Sequence, residues 1–363
     1  MIGSGGFAKV YKVVERSTGS SFADKVINKE MFIKRPYSRV KVEREIKLHQ
    51  RMNHVNIIRF LEFFEDTNFV HMVLELASQG SLLNVSKTRI RLTEPEVRYY
   101  FRQIAAGTRY IHNLKILHRD LKLGNMFLSE HMEIKIGDFG LSTSVEENTA
   151  SLCGTPNYVS PEIIAKKGHS FASEVWSIGC IVYALLCGKP PFDSESVEST
   201  YKLIKKGQYK IPEDLSPPAI DFITRFLQID PERRGTLEEP TRHNSRRSLL
   251  AHPFIKHSFI PSYLPASAVT EPPNLSDQIN SQAQAAIAKA TAKQERRDRV
   301  SSSRCSPGIS FSLKKMRTFF NPRNEFLEQT LLSLDKFMER NLSDVSNHQT
   351  FLQVILASLF ILS

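Results

Sequence analysis

The segment that most constrains this chain is the polar run at residues 118–125, His-Arg-Asp-Leu-Lys-Leu-Gly-Asn. It carries a carboxylate at Asp120, an ammonium at Lys122 and an amide at Asn125. At this spacing the carboxylate can accept a hydroxyl proton, the ammonium can neutralise a transferred phosphoryl group, and the amide oxygen can hold magnesium. The alternative is a polar surface turn, so the hypothesis requires matching parts elsewhere in the chain.

Length and composition permit a large globular enzyme. The 363 residues suffice for a catalytic region of about 250 residues plus an extension. The hydrophobic fraction of 41% and the charged fraction of 24% are ordinary for a soluble protein. The 4 cysteines show no paired metal-ligand spacing, so we expect free thiols in a reducing compartment. The first residues have neither a basic region nor a long apolar run, and no secretory signal is expected.

The net charge of +11 does not by itself predict a nucleic-acid partner. From Leu264 onward 12 Lys and Arg oppose 9 Asp and Glu, which leaves +8 on the first 263 residues. The one dense basic stretch, residues 289–317, favours a solvated tail over a specific nucleic-acid site. A basic nucleic-acid or membrane-binding protein is therefore a minor hypothesis.

Two apolar runs, residues 175–187 and 351–362, are the candidates for membrane segments. Each has about a dozen residues, whereas a spanning helix needs roughly 20, so no transmembrane span is expected. The first run predicts a buried core helix. The second stays open between a partner-binding helix, a peripheral anchor and a misread or alternatively spliced end.

A glycine-rich segment opens the chain. Glycines let the backbone fold closely over phosphates and direct its N–H groups at them, although a flexible leader is the alternative. The predicted nucleotide-binding residues here are Ile2, Gly3, Ser4, Gly5, Gly6, Phe7, Ala8, Lys9 and Val10.

A lysine and a glutamate follow at separations that support this interpretation. Ala23 and Lys25 lie in a strand-like run, and Glu45 lies on an amphipathic helical segment, residues 39–52. An ammonium at Lys25 can bridge the α and β phosphates while Glu45 holds it. The alternative for a lone Lys and Glu is a surface ion pair worth about 0 to 1 kcal/mol.

The next segments predict a hairpin and then a helix. Two apolar runs, residues 57–64 and 69–76, flank a polar turn, and residues 77–80 suit a hinge between lobes. Thr93 and Glu96 form a capping box for a helix that should end near residue 112. The residues expected around an adenine are Leu74, Glu75 and Ala77 at the hinge and Phe127 as the floor beneath the ring.

A second metal ligand is predicted after a short strand at residues 134–136. Asp138, in the triplet Asp-Phe-Gly, stands 18 residues beyond Asp120 and is expected to chelate magnesium together with Asn125. The Ser- and Thr-rich segment after it should be a regulatory loop. Ser151 is favoured over Thr149 as its phosphorylation site, and Arg119 is expected to pair with the phosphate.

Residues 2–265 resemble a polo-like serine/threonine protein kinase. Besides the general kinase residues already named, the matching segments are residues 5–9, 63–66, 92–100, 123–125, 152–158, 166–171 and 259–265. In this pattern Ala8 is the expected third residue of the glycine loop, and Lys122 with Thr155 resembles serine/threonine specificity.

The resemblance implies an α+β, bilobal protein-kinase fold with a small antiparallel β lobe over a larger helical lobe. It implies ATP as donor, magnesium as cofactor, Ser or Thr substrates in acidic surroundings, an upstream activating kinase, and a monomer that acts in mitosis and at centrosomes. We expect the kinase domain at residues 1–259, with the lobes at about 1–76 and 81–259, and an extension at residues 260–363. An intracellular location in cytoplasm, nucleus or centrosome is also implied.

Several departures leave a second hypothesis, a weakened pseudokinase-like scaffold or truncated isoform. Glu174 stands where kinases normally carry an Asp that braces the catalytic loop, and its extra methylene is expected to endanger the placement of Asp120. Ser160 replaces the usual Ala before Pro-Glu, and Ser151 replaces Thr. The residues before Gly3 are too few for a full first strand, which puts nucleotide affinity at risk.

The C-terminal part departs further from the family. Arg234 is placed to pair with Glu162, but residues 240–248 read as a basic insertion, with Ser248 a candidate phosphosite and a splice remnant the alternative. No phosphopeptide-binding polo box is recognisable after residue 265, so we expect a short form or an incomplete chain. Residues 282–299 predict a solvated helix, and residues 326–338 an amphipathic one that docks on the kinase or a partner.

Overall fold

The computed structural model describes residues 1–5, 8–35, 37–147 and 151–301. Residues Met1–Leu275 form one compact unit, and Ser276–Ser363 a second. The described part of the second unit is one helix, Ser276–Ser301, which includes the solvated helix predicted at residues 282–299. The predicted boundary after residue 259 stays a prediction.

An antiparallel five-stranded sheet forms the N-terminal lobe, in the order β1-β2-β3-β5-β4. The predicted hairpin is confirmed: Asp66 closes its turn by accepting from the amides of Asn68 and Phe69, each at 2.7 Å. Ile57, expected in the first hairpin strand, instead forms a bridge with Ile136. The strands are β1 Gly3–Ser4, β2 Ala8–Val14, β3 Ser21–Asn28, β4 Phe60–Glu65 and β5 Phe69–Glu75.

Two helices, α1 Glu30–Lys34 and α2 Tyr37–His49, follow β3. α2 begins two residues before the predicted segment and ends three residues before its end. Its apolar positions Val42 and Ile46 are one turn apart and pack on the sheet. The small core that results contains Ile27, Val42, Ile46, Val70 and Met72. This packing sets the position of α2 against β3.

Helices dominate the C-terminal lobe. Two short strand pairs accompany them, β6 Ile116–Leu117 with β9 Thr143–Ser144, and β7 Met126–Leu128 with β8 Ile134–Ile136. The helices are α3 Leu82–Arg89, α4 Glu94–Asn113, α5 Pro161–Ile164, α6 Phe171–Cys187, α7 Val197–Lys206, α8 Pro217–Phe226 and α9 Pro253–Lys256. Single 3₁₀ turns lie at Leu123–Asn125, Pro156–Tyr158, Leu249–Ala251 and Ala266–Val269.

The apolar helix α6 lies at the centre of this lobe, and the prediction of a buried core helix is confirmed. The Ser170 side chain caps its first turn by accepting from the Ser173 amide, and Gly188 ends it at φ +83°. Within it, Gly179 lets α8 approach closely, because a β-carbon there would lie 2.3 Å from Phe226. α6 therefore supports the elements around it from inside the core.

The predicted capping box of α4 is also confirmed. The Glu96 carboxylate accepts from the Thr93 amide at 2.9 Å and from its hydroxyl at 2.7 Å. Arg89 pairs with the same buried carboxylate at 2.5 Å and donates to the Ala268 carbonyl at 2.8 Å. Ala268 belongs to residues 264–275, which we call the C-terminal strap; its Leu264 and Leu275 are buried in the main core. The compact unit therefore includes residues beyond the segment 259–265, where the resemblance to polo-like kinases ends.

The predicted pair between Arg234 and Glu162 is present, with contacts of 2.8 and 3.1 Å. The insertion at residues 240–248 consists mainly of turns and is held by a bridge between Thr236 and Ser248. Ser248 is 3% exposed, and its hydroxyl donates to the Glu238 carbonyl at 2.7 Å. This burial disfavours a phosphosite at Ser248, because a kinase needs access to the hydroxyl.

Several predictions concern residues outside the described ranges. These are Thr149, Cys305 and the segments 326–338 and 351–362. Among the described residues, Cys153, Cys180 and Cys187 are free thiols. In the same part of the chain, the helices are too short or too polar to cross a bilayer.

Candidate active site

Lys25 joins two carboxylates where the two lobes meet. Alternation along β3 puts Ala23, Lys25 and Ile27 on the face that packs toward α2. The Lys25 ammonium lies 2.6 Å from Glu45 of α2 and 3.1 Å from Asp138, which follows β8. Three sequence-predicted residues, separated by up to 113 positions, thus form one chain of ion pairs.

The charges of this chain stabilise one another. Burial opposes the Lys25 ammonium, but Glu45 and Asp138 outweigh it, and the pKa of Lys25 is raised. The Lys25 charge in turn lowers the pKa of Asp138 against the effect of burial. Lys25 and Asp138 are therefore charged at neutral pH, and the Asp138 side chain remains 49% exposed. The arrangement presents a cation and a partly open carboxylate to any bound phosphate.

The loop at residues 118–125 holds its polar groups around Asp120. Lys122 lies 2.6 Å from one Asp120 oxygen, and the Thr155 hydroxyl donates to the other at 2.8 Å. Lys122 also contacts the Thr155 hydroxyl at 3.0 Å. The Asn125 amide nitrogen donates to the Asp120 carbonyl at 2.9 Å, within the 3₁₀ turn Leu123–Asn125. Lys122, Asn125 and Thr155 thus all contact Asp120.

Asn125 and Asp138 fit a magnesium ion by their chemistry. Asn125 directs its nitrogen at Asp120, so its amide oxygen is the atom left for a metal. One amide oxygen and one carboxylate are hard oxygen ligands, and Mg²⁺ usually takes few protein ligands and completes its shell with water and phosphate. Within the described ranges no group of three His, Cys, Asp or Glu could form a complete protein cage.

Phe139 connects α2 to the catalytic loop. Its buried ring lies 4.6 Å from the ring of His49 in α2 and 5.0 Å from that of His118. His49 contacts the Ile58 carbonyl at 2.7 Å, and His118 contacts that of Gly137 at 3.1 Å. Burial lowers the pKa of His49 to about 4, so this ring is neutral at physiological pH. These ring contacts fix the helix that carries Glu45 relative to the loop that carries Asp120.

Glu174 braces the catalytic loop despite its extra methylene. One of its oxygens accepts from the Arg119 amide at 2.7 Å, and the other contacts His112 at 2.6 Å. Burial opposes the Glu174 charge, but His112 and the Arg119 amide outweigh it and lower its pKa. Glu174 therefore keeps the hydrogen bond to the loop backbone, and the expected effect of its length on the placement of Asp120 stays a prediction. Sequence reasoning missed His112, because nothing distinguishes it from other residues in the last turn of α4.

The glycine-rich segment forms the end of the sheet. The Ile2 amide donates to the Val10 carbonyl at 2.8 Å, and the Gly5 amide donates to that of Ala8 at 2.9 Å. Ser4 lies opposite Lys9 across β1 and β2. Gly6 and Phe7 lie outside the described residues. The described residues on either side, 1–5 and 8–10, are thus held as neighbouring strands whose backbone can cover phosphates.

The predicted adenine residues lie where β5 ends. Ala23 is paired with Leu74 across β3 and β5. The Glu75 amide donates to the Arg59 carbonyl at 2.9 Å, so Glu75 can offer an adenine only its carbonyl. Ala77 follows β5, and the Phe127 ring lies 3.0 Å from where a β-carbon on Gly137 would stand. That glycine lets the Phe127 ring approach the backbone at Gly137 closely.

The predicted regulatory residues lie beside the catalytic loop. Ser151 is exposed. The Arg119 side chain donates to the Leu141 carbonyl at 2.6 Å, and burial lowers its pKa. Cys153 lies 3.3 Å from His169 in the same region. Ser151 is thus accessible to a modifying enzyme.

Comparisons with known proteins agree with this geometry. The protein kinase domain family matches residues 1–255. The chain is 45% identical over 278 residues to serine/threonine-protein kinase PLK1 of Xenopus laevis, which covers 76% of this chain and 45% of that protein. It is 44% identical over 276 residues to serine/threonine-protein kinase polo of Drosophila melanogaster, covering 75% and 46%. Serine/threonine-protein kinase plk-2 of Caenorhabditis elegans is 45% identical over 278 residues, covering 76% and 42%. The aligned region thus spans less than half the length of these relatives.

Proposed function

Because the chain belongs to the protein kinase family, with a kinase region of the polo-like serine/threonine type, we propose that it transfers the γ-phosphoryl group of ATP to Ser or Thr hydroxyls of proteins. The observation that carries the proposal is the continuous chain of ion pairs from Glu45 through Lys25 to Asp138. A kinase requires a lysine held against the phosphates and a carboxylate held toward magnesium.

The residues of the catalytic loop take distinct roles in this proposal. Asp120 accepts the proton of the substrate hydroxyl, and Lys122 neutralises charge on the phosphoryl group as it moves. Thr155, in contact with both, orients them. Asn125 and Asp138 hold magnesium, which supplies charge neutralisation between the phosphates when it is bound. Positioning and electrostatics then account for the rate enhancement.

The nucleotide lies under the glycine-rich segment in this proposal. The backbone of residues 2–10 covers the phosphates, and Lys25 bridges them while Glu45 holds its ammonium. The Glu75 carbonyl and the Ala77 backbone face the adenine, with Ala23, Leu74 and Phe127 packing on its two sides.

The scaffold alternative is not favoured. One of its three supports, beside the short first strand and the insertion, was the brace residue Glu174, and that carboxylate lies 2.7 Å from the Arg119 amide. A scaffold has no need of the ion pairs of Lys25 with Glu45 and Asp138 together with a paired Asp120 and Lys122.

The test is phosphate transfer by the purified full chain. With magnesium, labelled ATP and acidic peptides that differ only in Ser or Tyr at one position, we expect label on Ser and none on Tyr. Asp138→Asn should abolish transfer, whereas Asp214→Asn, on the surface in a pair with Arg91, should leave it unchanged. A folded, Ser151-phosphorylated chain without transfer would overturn the proposal.

Regulation and cellular role form a finer part of the proposal. An upstream kinase phosphorylates exposed Ser151, and the phosphate pairs with Arg119 to order the loop. On the resemblance to polo-like kinases, we also propose substrates in acidic surroundings, a monomeric state, a mitotic function and a location in cytoplasm, nucleus and centrosome. Activity of Ser151→Ala equal to that of the parent chain, after treatment with the upstream kinase, would contradict this regulation.

A further inference from the structure

We infer that His112 is a positioning residue for phosphoryl transfer, which acts through Glu174 on the backbone of the catalytic loop. This inference rests on the proposed function and deepens it. His112 touches neither Asp120 nor Lys122 in the described contacts, so its effect must be indirect. Its side chain lies at the end of α4, and Glu174 lies in the first turn of α6.

Each oxygen of the Glu174 carboxylate accepts from a different donor. His112 Nε2 lies 2.6 Å from Oε2, and the Arg119 amide lies 2.7 Å from Oε1. The Glu174 side chain is 3% exposed, so water cannot replace a lost donor easily. A buried carboxylate with an unsatisfied oxygen takes up a proton or turns toward another donor. Removal of His112 therefore weakens the hold of Glu174 on Arg119.

His112 is itself held in one orientation. Its ring stacks on Phe171 with centroids 4.3 Å apart and planes inclined by 26°. Phe171 is the first residue of α6, three positions before Glu174. The ring therefore contacts the same helical turn that carries the carboxylate. This contact fixes the direction in which Nε2 points.

Arg119 is the residue whose backbone needs support. It has φ +64°, a left-handed conformation that costs a residue with a β-carbon roughly 1 to 3 kcal/mol. Asp120 follows it directly, and the Asp120 amide donates to His118 Nδ1 at 3.3 Å. If Arg119 relaxes to a negative φ, the peptide plane before Asp120 turns and moves its carboxylate. A displacement of about 1 Å at a reacting group can cost on the order of a hundredfold in rate.

The length of Glu174 makes the second donor important in this chain. Glutamate has one more rotatable bond than aspartate, so a single hydrogen bond fixes its carboxylate less well. With His112 on one oxygen and the Arg119 amide on the other, the orientation of the carboxylate is fixed through both of its oxygens. The two hydrogen bonds thus restrict the longer Glu174 side chain, whereas the shorter aspartate has fewer rotatable bonds to restrict.

The experiment compares variants of the full, loop-phosphorylated chain. His112→Ala should lower kcat about 10- to 100-fold and leave the KM for ATP within about twofold, because nucleotide contacts are unchanged. His112→Gln, whose amide nitrogen can reach the same oxygen, should recover most of kcat. His131→Ala, which removes an exposed histidine, is the matched control and should behave as the parent. His112→Ala with parental kcat would overturn the inference.

Two further measurements separate positioning from folding. His112→Ala combined with Glu174→Ala should be no slower than Glu174→Ala alone, and additive losses would overturn the route through Glu174. Amide hydrogen exchange at Arg119 should accelerate in His112→Ala while exchange in α6 stays protected; uniform acceleration would show a merely structural role. If the parent chain transfers no phosphate, the proposed function fails, but the exchange measurement still decides this inference.

Discussion

Replacing Arg234 by Met should destabilise the chain far more than the same change at its neighbour Arg233. Both arginines contact a carboxylate, but their surroundings differ. The Arg234 and Glu162 side chains are 0% and 8% exposed. The Arg233 side chain is 80% exposed and its partner Asp230 is 53% exposed. The comparison therefore isolates the effect of burial on one type of ion pair.

The magnitude follows from what Arg234 leaves behind. Glu162 would lose two contacts and keep a buried charge, which typically costs about 3 to 5 kcal/mol. The carbonyls of Ala172 and Gln228 would also lose their Arg234 donors, at 2.6 and 3.0 Å, which puts the cost near the upper end. The Arg233 pair, at 3.6 Å and in water, should contribute about 0 to 1 kcal/mol.

Thermal unfolding followed by circular dichroism measures the difference. At roughly 2 to 4 °C per kcal/mol for a domain of about 150 to 250 residues, Arg234→Met should lower the midpoint by roughly 10 to 20 °C. Arg233→Met should change it by at most about 4 °C. Pairing Arg234→Met with Glu162→Leu should recover part of the loss, because no buried charge then remains. Equal midpoints for the two single variants would refute the reasoning.

Three other predictions concern stability. Leu264→Ala should lower the free energy of unfolding in urea by about 2 to 5 kcal/mol, because Leu264 is 3% exposed. Tyr263→Ala, at a 59% exposed position, should lower it by less than about 1 kcal/mol. Equal losses would show that the C-terminal strap does not pack on the core. Ser160→Ala should stabilise the chain by roughly 1 kcal/mol, since the buried Ser160 hydroxyl has no hydrogen-bond partner among the described residues, and a loss of stability would contradict this. The pKa of His49 is about 4 in the folded chain, below its ordinary 6.5. As the pH falls from 6.5 to 4, the unfolded chain binds a proton at this histidine before the folded chain does, so the free energy of unfolding should fall by about 3 kcal/mol. His49→Leu should remove that part of the pH dependence and His131→Gln should not.

Local signals in the sequence identified the elements whose causes are local. The capping box at Thr93 and Glu96 depends on residues three apart, and it marks the start of α4. The apolar run at residues 175–187 is long and continuous, so its burial as α6 could be predicted. By contrast, the meeting of Lys25, Glu45 and Asp138 was predicted from motif order and family resemblance, because no local pattern specifies contacts over such separations.

The contacts that could not be predicted from the sequence are those that arise from tertiary packing. His112 meets Glu174 only because the end of α4 packs beside the start of α6. Ser248 lies in an exposed-looking basic segment, yet a single bridge to Thr236 buries it. The C-terminal strap has too few apolar residues and too little periodicity to predict its docking. In each case the decisive neighbour is distant in the sequence or lies in irregular backbone.

The hydrogen bond from Arg89 to Ala268 joins residues 179 positions apart, and this separation has a consequence for synthesis of the chain. At about 5 to 20 residues per second, a ribosome needs roughly 9 to 36 s between the two residues. Until Ala268 emerges, the buried pair of Arg89 and Glu96 lacks one acceptor, and the surface that Leu264 and Leu275 cover stays open. The nascent kinase region therefore cannot complete its core while it is being made, and it offers an apolar surface to chaperones throughout that interval.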